Sequence, residues 1–253
     1  MAAPTSQIAA GGTSSPRGLT RAARLSLLES MARSRKARRQ LAGERDRLRL
    51  PALTGLVEPG WEAIEAGVAQ ALQPGDTLVA NSPWMAGGLD GVRVGATWRL
   101  VDPLAAGMGA AVVAAAGAAV AVLAQAQVLT RNKGTLRLAV ERRLPLLIAA
   151  AALGAADDEI EAATQSGIEP VVVSTMDVER IAAATIDLAA RARAGEGPGV
   201  IVAQRPLEAA PSPATFGDRF AGDPLPRYAR RLNELGISAD ELRHIVRAVR
   251  DAA

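Results

Sequence analysis

Cysteine is absent from this chain of 253 residues, and histidine occurs once, as His244. Without cysteine there are no disulfides, no thiolate catalysis and no cysteine-ligated metal sites. Aromatic residues make up 2% of the chain, so the core cannot rest on bulky rings. About half of the residues are apolar, and many are alanines, which favour close packing of helices against a sheet. A chain of this length can bury a core as one α/β domain.

Acidic residues are scarce near the N-terminus. The stretch 17–49 carries eleven Arg or Lys residues against three acids, Glu29, Glu44 and Asp46. Its surplus of eight exceeds the +3 of the whole chain, so the remainder carries a charge of about −5. The stretch has no aromatic residue on which bases could stack, and nucleic acid would be held through phosphates alone. We therefore expect a basic first helix that docks an acidic partner chain, with nucleic-acid binding as an alternative.

Charged residues are also missing between Asp102 and Arg131. The run is long enough to cross a membrane. However, it consists mostly of alanine, contains three glycines and has few leucines. We interpret it as a buried helix followed by a buried strand, and we expect no membrane span.

Residues 1–16 are small and polar and lack the apolar core of a secretory signal. We interpret them as a disordered tail before a single domain over 17–253. A mitochondrial or other organellar transit peptide is the alternative, because such segments are also poor in acids. The expected location is the cytoplasm, or the mitochondrial matrix if the tail is a transit peptide.

Short apolar runs alternate with helical segments through the rest of the chain. Runs without polar alternation are typical of parallel strands covered on both faces. The predicted strands are Thr77–Pro83 (running into a turn), Val120–Ala124, Leu146–Ala150, Val171–Ser174 and Val200–Ala203. The predicted helices are Leu19–Leu48, Gly60–Leu72, Pro103–Ala116, Gly134–Arg143, Asp157–Gln165, Val178–Ala194 and two near the C-terminus. Asp177 is a predicted helix cap, Ser238 and Glu241 form a capping box, and "GGLDGVRVGATW" is interpreted as a loop.

Seven segments carry a family resemblance, in order, over about residues 19–250. "VEPGWEAIEAGVAQALQPGDTLV" resembles the helix after a "GQEA" motif, with Trp61 in place of Gln. "RARAGEGPGVIVA" is similar to "RARAGEGPTLIEA", and "GDPLPRYARRLNELG" to a "DPLxRxxxxLxxxG" ending. The other four are "LLESMARSRKARRQL", "GVRVGATWRLVDPLAAGMGAA", "GTLRLAVERRLPLLIA" and "SGIEPVVVSTMDVERI". Together they resemble the alpha subunit of thiamine-diphosphate-dependent 2-oxo acid dehydrogenases.

This resemblance implies a thiamine-diphosphate-binding-type α/β fold, a parallel sheet flanked by helices and followed by C-terminal helices. It also implies a cofactor site built from "GDG" after one strand and paired asparagines after the next. Here the first strand continues as "VLAQAQVLTRN" and the second as "IAAAALGA". Gln125, Gln127 and Asn132 offer only amide oxygens, whereas Mg²⁺ bridging phosphates requires carboxylate. We therefore expect thiamine diphosphate and magnesium to be lost.

The catalytic histidines of that family are missing as well. Neither "ANSPWMAGGLDG" nor "AQRPLEAAPSPATFGD" contains histidine, and His244 lies in the predicted last helix as a solvated or packing residue. We therefore assign no catalytic, cofactor-binding or metal-binding residue. Glu62 and Glu65 are interpreted as solvated or interface charges.

The favoured hypothesis is a non-catalytic alpha-like subunit, which assembles with a beta-like chain or an active alpha-like paralogue. Two alpha and two beta chains are expected. The predicted interface residues are Gly60, Glu62, Gly107 and Gly109, and a bulky residue at either of the last two should block assembly before it unfolds the monomer. One alternative is an active subunit with an atypical cofactor site, catalysing oxidative decarboxylation of a 2-oxo acid. The other is a nucleic-acid-associated protein.

Overall fold

The computed structural model describes residues 19–47, 60–80, 93–96, 102–205 and 223–251. The predicted tail 1–16 and the Pro-rich segment 208–218 lie outside these ranges. The described strands are β1 Thr77–Ala80, β2 Arg93–Ala96, β3 Val120–Gln125, β4 Leu146–Leu153, β5 Val171–Ser174 and β6 Gly199–Arg205. The described helices are α1 Arg21–Arg47, α2 Trp61–Ala71, α3 Pro103–Val112, α4 Gln127–Arg131, α5 Lys133–Glu141, α6 Asp157–Gln165, α7 Val178–Arg193, α8 Pro224–Glu234 and α9 Ala239–Asp251.

The strands form one sheet in the order β2-β1-β3-β4-β6-β5. Every pairing in it is parallel. The prediction of a parallel sheet containing the strands at 120, 146, 171 and 200 is confirmed. Because all strands point the same way, their carboxyl ends meet at one edge of the sheet.

Alternate strand residues face two separate apolar layers, as the period of two in a strand requires. One face of the sheet buries Leu78, Ala80, Ala121, Leu123, Leu147, Ala149, Val173, Ile201 and Ala203. The other buries Val79, Val120, Val122, Ala124, Leu146, Ile148, Ala150, Val200 and Val202. Both faces are therefore covered, which explains why the strands show no polar alternation.

Two layers of helices cover the first face of the sheet, and one layer covers the second face. On the first face α2 and α7 pack against the sheet and each other, and α1 lies over α2 in contact with α8 and α9. On the second face α3, α5 and α6 form the cover. Asp177 accepts a hydrogen bond from the Arg180 amide at 3.1 Å, and Ser238 accepts one from the Glu241 amide at 3.2 Å. Both predicted N-caps are thus present, but the capping box is only half formed, because the Glu241 carboxylate accepts from Arg21 on α1.

Three elements differ from the predictions. Strand β2 lies in the segment interpreted as a loop, because pairing with β1 makes a strand of a short, glycine-containing stretch. Helix α4 was not predicted, since five residues are too few to show a helical period. Helix α3 ends at Val112 rather than near Ala116, and the chain turns back through Gly117, whose φ is +81°.

The uncharged run after Asp102 folds as α3 and β3, which confirms its interpretation as a helix followed by a strand. Among the described residues, no helix is long and apolar enough to cross a membrane.

Candidate functional site at the carboxyl edge of the sheet

A crevice lies at the carboxyl ends of the central strands, the edge at which open α/β sheets bind ligands. Its volume is about 50 Å³. Its lining combines strand-end residues with two residues from the first turn of α2: Trp61, Ile64, Gln125, Gln127, Ala151, Ala152, Leu153, Thr175 and Arg205. One water needs roughly 10–15 Å³ on this measure, so the crevice has room for only a few water-sized groups.

Thr175 follows β5 directly and is 2% exposed. Its hydroxyl oxygen is buried and has no hydrogen-bond partner, although its backbone amide donates to the Gln204 carbonyl at 2.9 Å. Gly60 packs directly against the Thr175 side chain, since a Cβ at position 60 would lie 3.2 Å from the Thr175 hydroxyl oxygen. Gly60 also has a φ of +114°, which favours glycine. Gly60 is therefore buried inside the chain, next to the crevice.

The donor groups at this edge do not fit a magnesium-bound diphosphate. Gln125 and Gln127 line the crevice with neutral amides, and the end of β4 supplies Ala151 and Ala152. The Asn132 amide is engaged elsewhere, donating to Asp102 at 2.8 Å and to a backbone carbonyl at 2.9 Å. Mg²⁺ is a hard cation that is normally held through carboxylates and phosphate oxygens. No carboxylate lines the described crevice, and the described residues hold no cluster of three or more acids and histidines able to bind a metal.

Two ion pairs, each with a buried glutamate, join α1 to α2 next to the crevice. Arg35 pairs with Glu62 and, at 2.5 Å, with Asp223 at the start of α8. Arg38 pairs with Glu65, which also accepts a hydrogen bond from the Ser34 hydroxyl at 2.5 Å. Glu62 and Glu65 are each 2% exposed. The interpretation of these glutamates as solvated charges is wrong, because the pairing with α1 buries them in the chain.

Burial raises the pKa of Glu65 to about 7, against the opposing influence of the Arg38 guanidinium and the Ser34 hydroxyl. Arg38 also lies over the Trp61 ring, 5.4 Å from its centroid, in cation–π contact. Because Trp61 also lines the crevice, its ring links the Arg38–Glu65 ion pair to the crevice. For Arg35, burial lowers the pKa but the hydrogen bonds with Asp223 and Glu62 outweigh it, so the net shift is upward.

Much of the positive charge on α1 is matched by acids of the same chain. Besides the two pairs with α2, Arg24 bonds Glu179 on α7 at 3.0 Å, and Arg21 bonds Glu241 on α9 at 2.5 Å. The acidic surface expected on a partner is thus supplied, for these arginines, by α2, α7, α8 and α9.

The two predicted interface glycines of α3 have opposite surroundings. A Cβ at Gly107 would lie 2.2 Å from a methyl carbon of Val122 on β3. Gly109 is exposed and nothing lies within 4 Å of its Cβ position. Nearby Val112 and Val113 are 69% and 79% exposed. A bulky residue at Gly107 would thus strain the monomer itself, so the assembly prediction does not hold there, whereas Gly109 lies on an open apolar face.

No family model matches this chain, and no curated protein matches it either. Its function is therefore inferred from the site itself.

His244 lies exposed on α9, as predicted, away from the crevice lining. Sequence reasoning missed Thr175 and Arg205, which line the crevice. Thr175 follows the predicted strand that ends at Ser174, and Arg205 lies two residues after the one that ends at Ala203. Their position at the carboxyl ends of predicted parallel strands could have marked them as site residues.

Proposed function

We propose that the chain is a non-catalytic alpha-like subunit of a 2-oxo acid dehydrogenase-type assembly. It would partner a beta-like chain or an active alpha-like paralogue, most simply as two alpha and two beta chains. The observation that carries this proposal is the crevice, whose strand ends present glutamine and alanine where the resemblance calls for metal and diphosphate ligands. The parallel sheet with C-terminal helices supports it, because the resemblance implies that architecture.

The open face of α3 supports assembly. It presents Gly109, Val112 and Val113 to solvent, and the stretch 103–117 contains no charged residue. Exposed apolar patches of this kind mark contact surfaces, and obligate interfaces bury roughly 2,000 Å² or more of such surface. We place the beta-like partner or the paralogue on this face. The cytoplasm is the proposed location, or the mitochondrial matrix if residues 1–16 are a transit peptide.

Co-expression with a beta-like chain tests the assembly. We expect the two chains to purify together, and light scattering to report a mass near that of four chains. Gly109→Leu should weaken the complex because a side chain would separate the packed helices. Gly134→Leu is the matched control, since Gly134 is also an exposed helical glycine with nothing near its Cβ position. A folded monomer that ignores the co-expressed chain would contradict the proposal.

Calorimetry with thiamine diphosphate and Mg²⁺ tests the loss of the cofactor. The isolated chain should show no micromolar binding, because neutral amides cannot replace a bridging carboxylate. Binding at that level, with decarboxylation in the assembled complex, would instead identify an active subunit with an atypical site. A shift of plain duplex DNA that weakens with salt would favour the nucleic-acid alternative.

A further inference from the structure

We propose that the crevice at the carboxyl edge of the sheet binds a small monocarboxylate of about acetate size, held by Arg205 and the Thr175 hydroxyl. This inference does not depend on the proposed assembly, since it rests on the crevice alone.

The Thr175 hydroxyl supplies the first observation. Thr175 lines the crevice, and its hydroxyl oxygen is buried and lacks a hydrogen-bond partner. A buried polar group left unpaired is costly, and such groups are rare in folded proteins. Another buried threonine, Thr185 on α7, shows the ordinary situation, because its hydroxyl lies within 2.8–2.9 Å of three backbone carbonyls. A ligand oxygen in the crevice would give Thr175 the partner it lacks.

Arg205 supplies the second observation. It ends β6, is partly buried and contributes to the crevice lining. Among the described residues no acid forms a salt bridge with Arg205, whereas Arg35 and Arg38 on α1 each form one with a glutamate of α2. A guanidinium presents a fork of donors that matches the two oxygens of a carboxylate.

The charge of Arg205 and the volume of the crevice restrict the class of ligand that can bind. One guanidinium matches one negative charge, so a monocarboxylate fits better than inorganic phosphate, which carries more than one charge at neutral pH. A cavity of about 50 Å³ holds roughly three to five water-sized groups at 10–15 Å³ each, and acetate has four heavy atoms. Gln125 and Gln127 also line the crevice, and Trp61 and Leu153 offer apolar surface for a short carbon chain.

The test uses the full chain with acetate as probe, and measures saturation-transfer NMR together with the shift in thermal midpoint. We expect wild-type protein to bind acetate and be stabilised by it. Thr175→Val and Arg205→Gln should each weaken binding about tenfold or more, since each removes a hydrogen bond to a charged group. Arg137→Gln is the control, because Arg137 is an exposed arginine on α5 outside the lining, and its binding should be unchanged.

Thermal midpoints measured without ligand show whether a variant has lost acetate binding alone or has also been destabilised. Thr175→Val removes an unpartnered hydroxyl and should leave the thermal midpoint unchanged or higher without ligand. Thr185→Val removes a bonded hydroxyl and should lower it. The proposal is overturned if wild-type protein shows no acetate signal at tens of millimolar, or if Thr175→Val binds acetate as wild type does. Tighter binding of inorganic phosphate than of acetate would overturn the assignment to a carboxylate.

Discussion

Replacing Glu65 with glutamine should change how stability depends on pH. In the folded chain burial raises the pKa of Glu65 from 4.5 to about 7, so the folded state holds this proton more tightly than the unfolded chain does. The resulting stabilisation is fully present below about pH 4.5 and is lost as the pH rises through 7. At about 1.4 kcal/mol per pKa unit, the full effect is roughly 3 kcal/mol, most of it between pH 5 and pH 8.

The measurement is urea unfolding of wild type and Glu65→Gln at pH 5, 6, 7 and 8, at one protein concentration. Glutamine keeps the shape of the side chain but has no titrating proton. The difference in unfolding free energy, wild type minus variant, should therefore fall by roughly 2–3 kcal/mol from pH 5 to pH 8. Glu29→Gln is the control, since Glu29 forms an exposed pair with Arg33 and such pairs contribute little. A difference that stays constant with pH would refute the reasoning.

Four further substitutions test the packing and the ion pairs of the chain. Gly107→Ala should destabilise the fold by about 1–3 kcal/mol through overpacking, because its Cβ would overlap Val122. Gly109→Ala should stabilise the fold by about 1 kcal/mol through helix propensity. Equal effects of the two substitutions in thermal unfolding would contradict the described packing of α3. Asp76→Asn should cost about 3–5 kcal/mol in urea unfolding, because the buried carboxylate accepts from two backbone amides at 2.7 Å and pairs with the partly buried Arg193. Glu196→Gln, in an exposed pair, should cost less than about 1 kcal/mol, and similar losses in both variants would rule out the buried pair as the source.

The central strands could be predicted from the sequence because each is a short apolar run between helical segments. Leu146–Ala150 shows this clearly, since burial on both faces leaves no polar residue in it. Strand β2 could not be predicted in the same way. Its four residues include a glycine, and its strand conformation depends on pairing with β1, which is a contact between distant parts of the chain.

The ion pairs between α1 and α2 were also missed, although the spacing contained a signal. Arg35 and Arg38 are three residues apart on one helix, and Glu62 and Glu65 are three apart on the next. Residues three apart share a helix face, so each helix presents two like charges at matching intervals. What the sequence did not show is that the two faces meet, because the pairs join positions 27 residues apart. The same holds for Thr175 and Arg205, which the sheet brings together from separate strands.

The position of α1 has a consequence for how the protein is made. Its contacts with α8 and α9 include Arg35 with Asp223 and Arg21 with Glu241, residues separated by 188 and 220 positions in the chain. At ribosomal rates of about 5–20 residues per second, α1 is synthesised roughly 10–40 seconds before these partners exist. During translation, the side of α1 that faces α8 and α9 is uncovered. Helix α1 is therefore completed only once α8 and α9 have been synthesised, and a chain truncated or stalled before them would leave this side of α1 exposed.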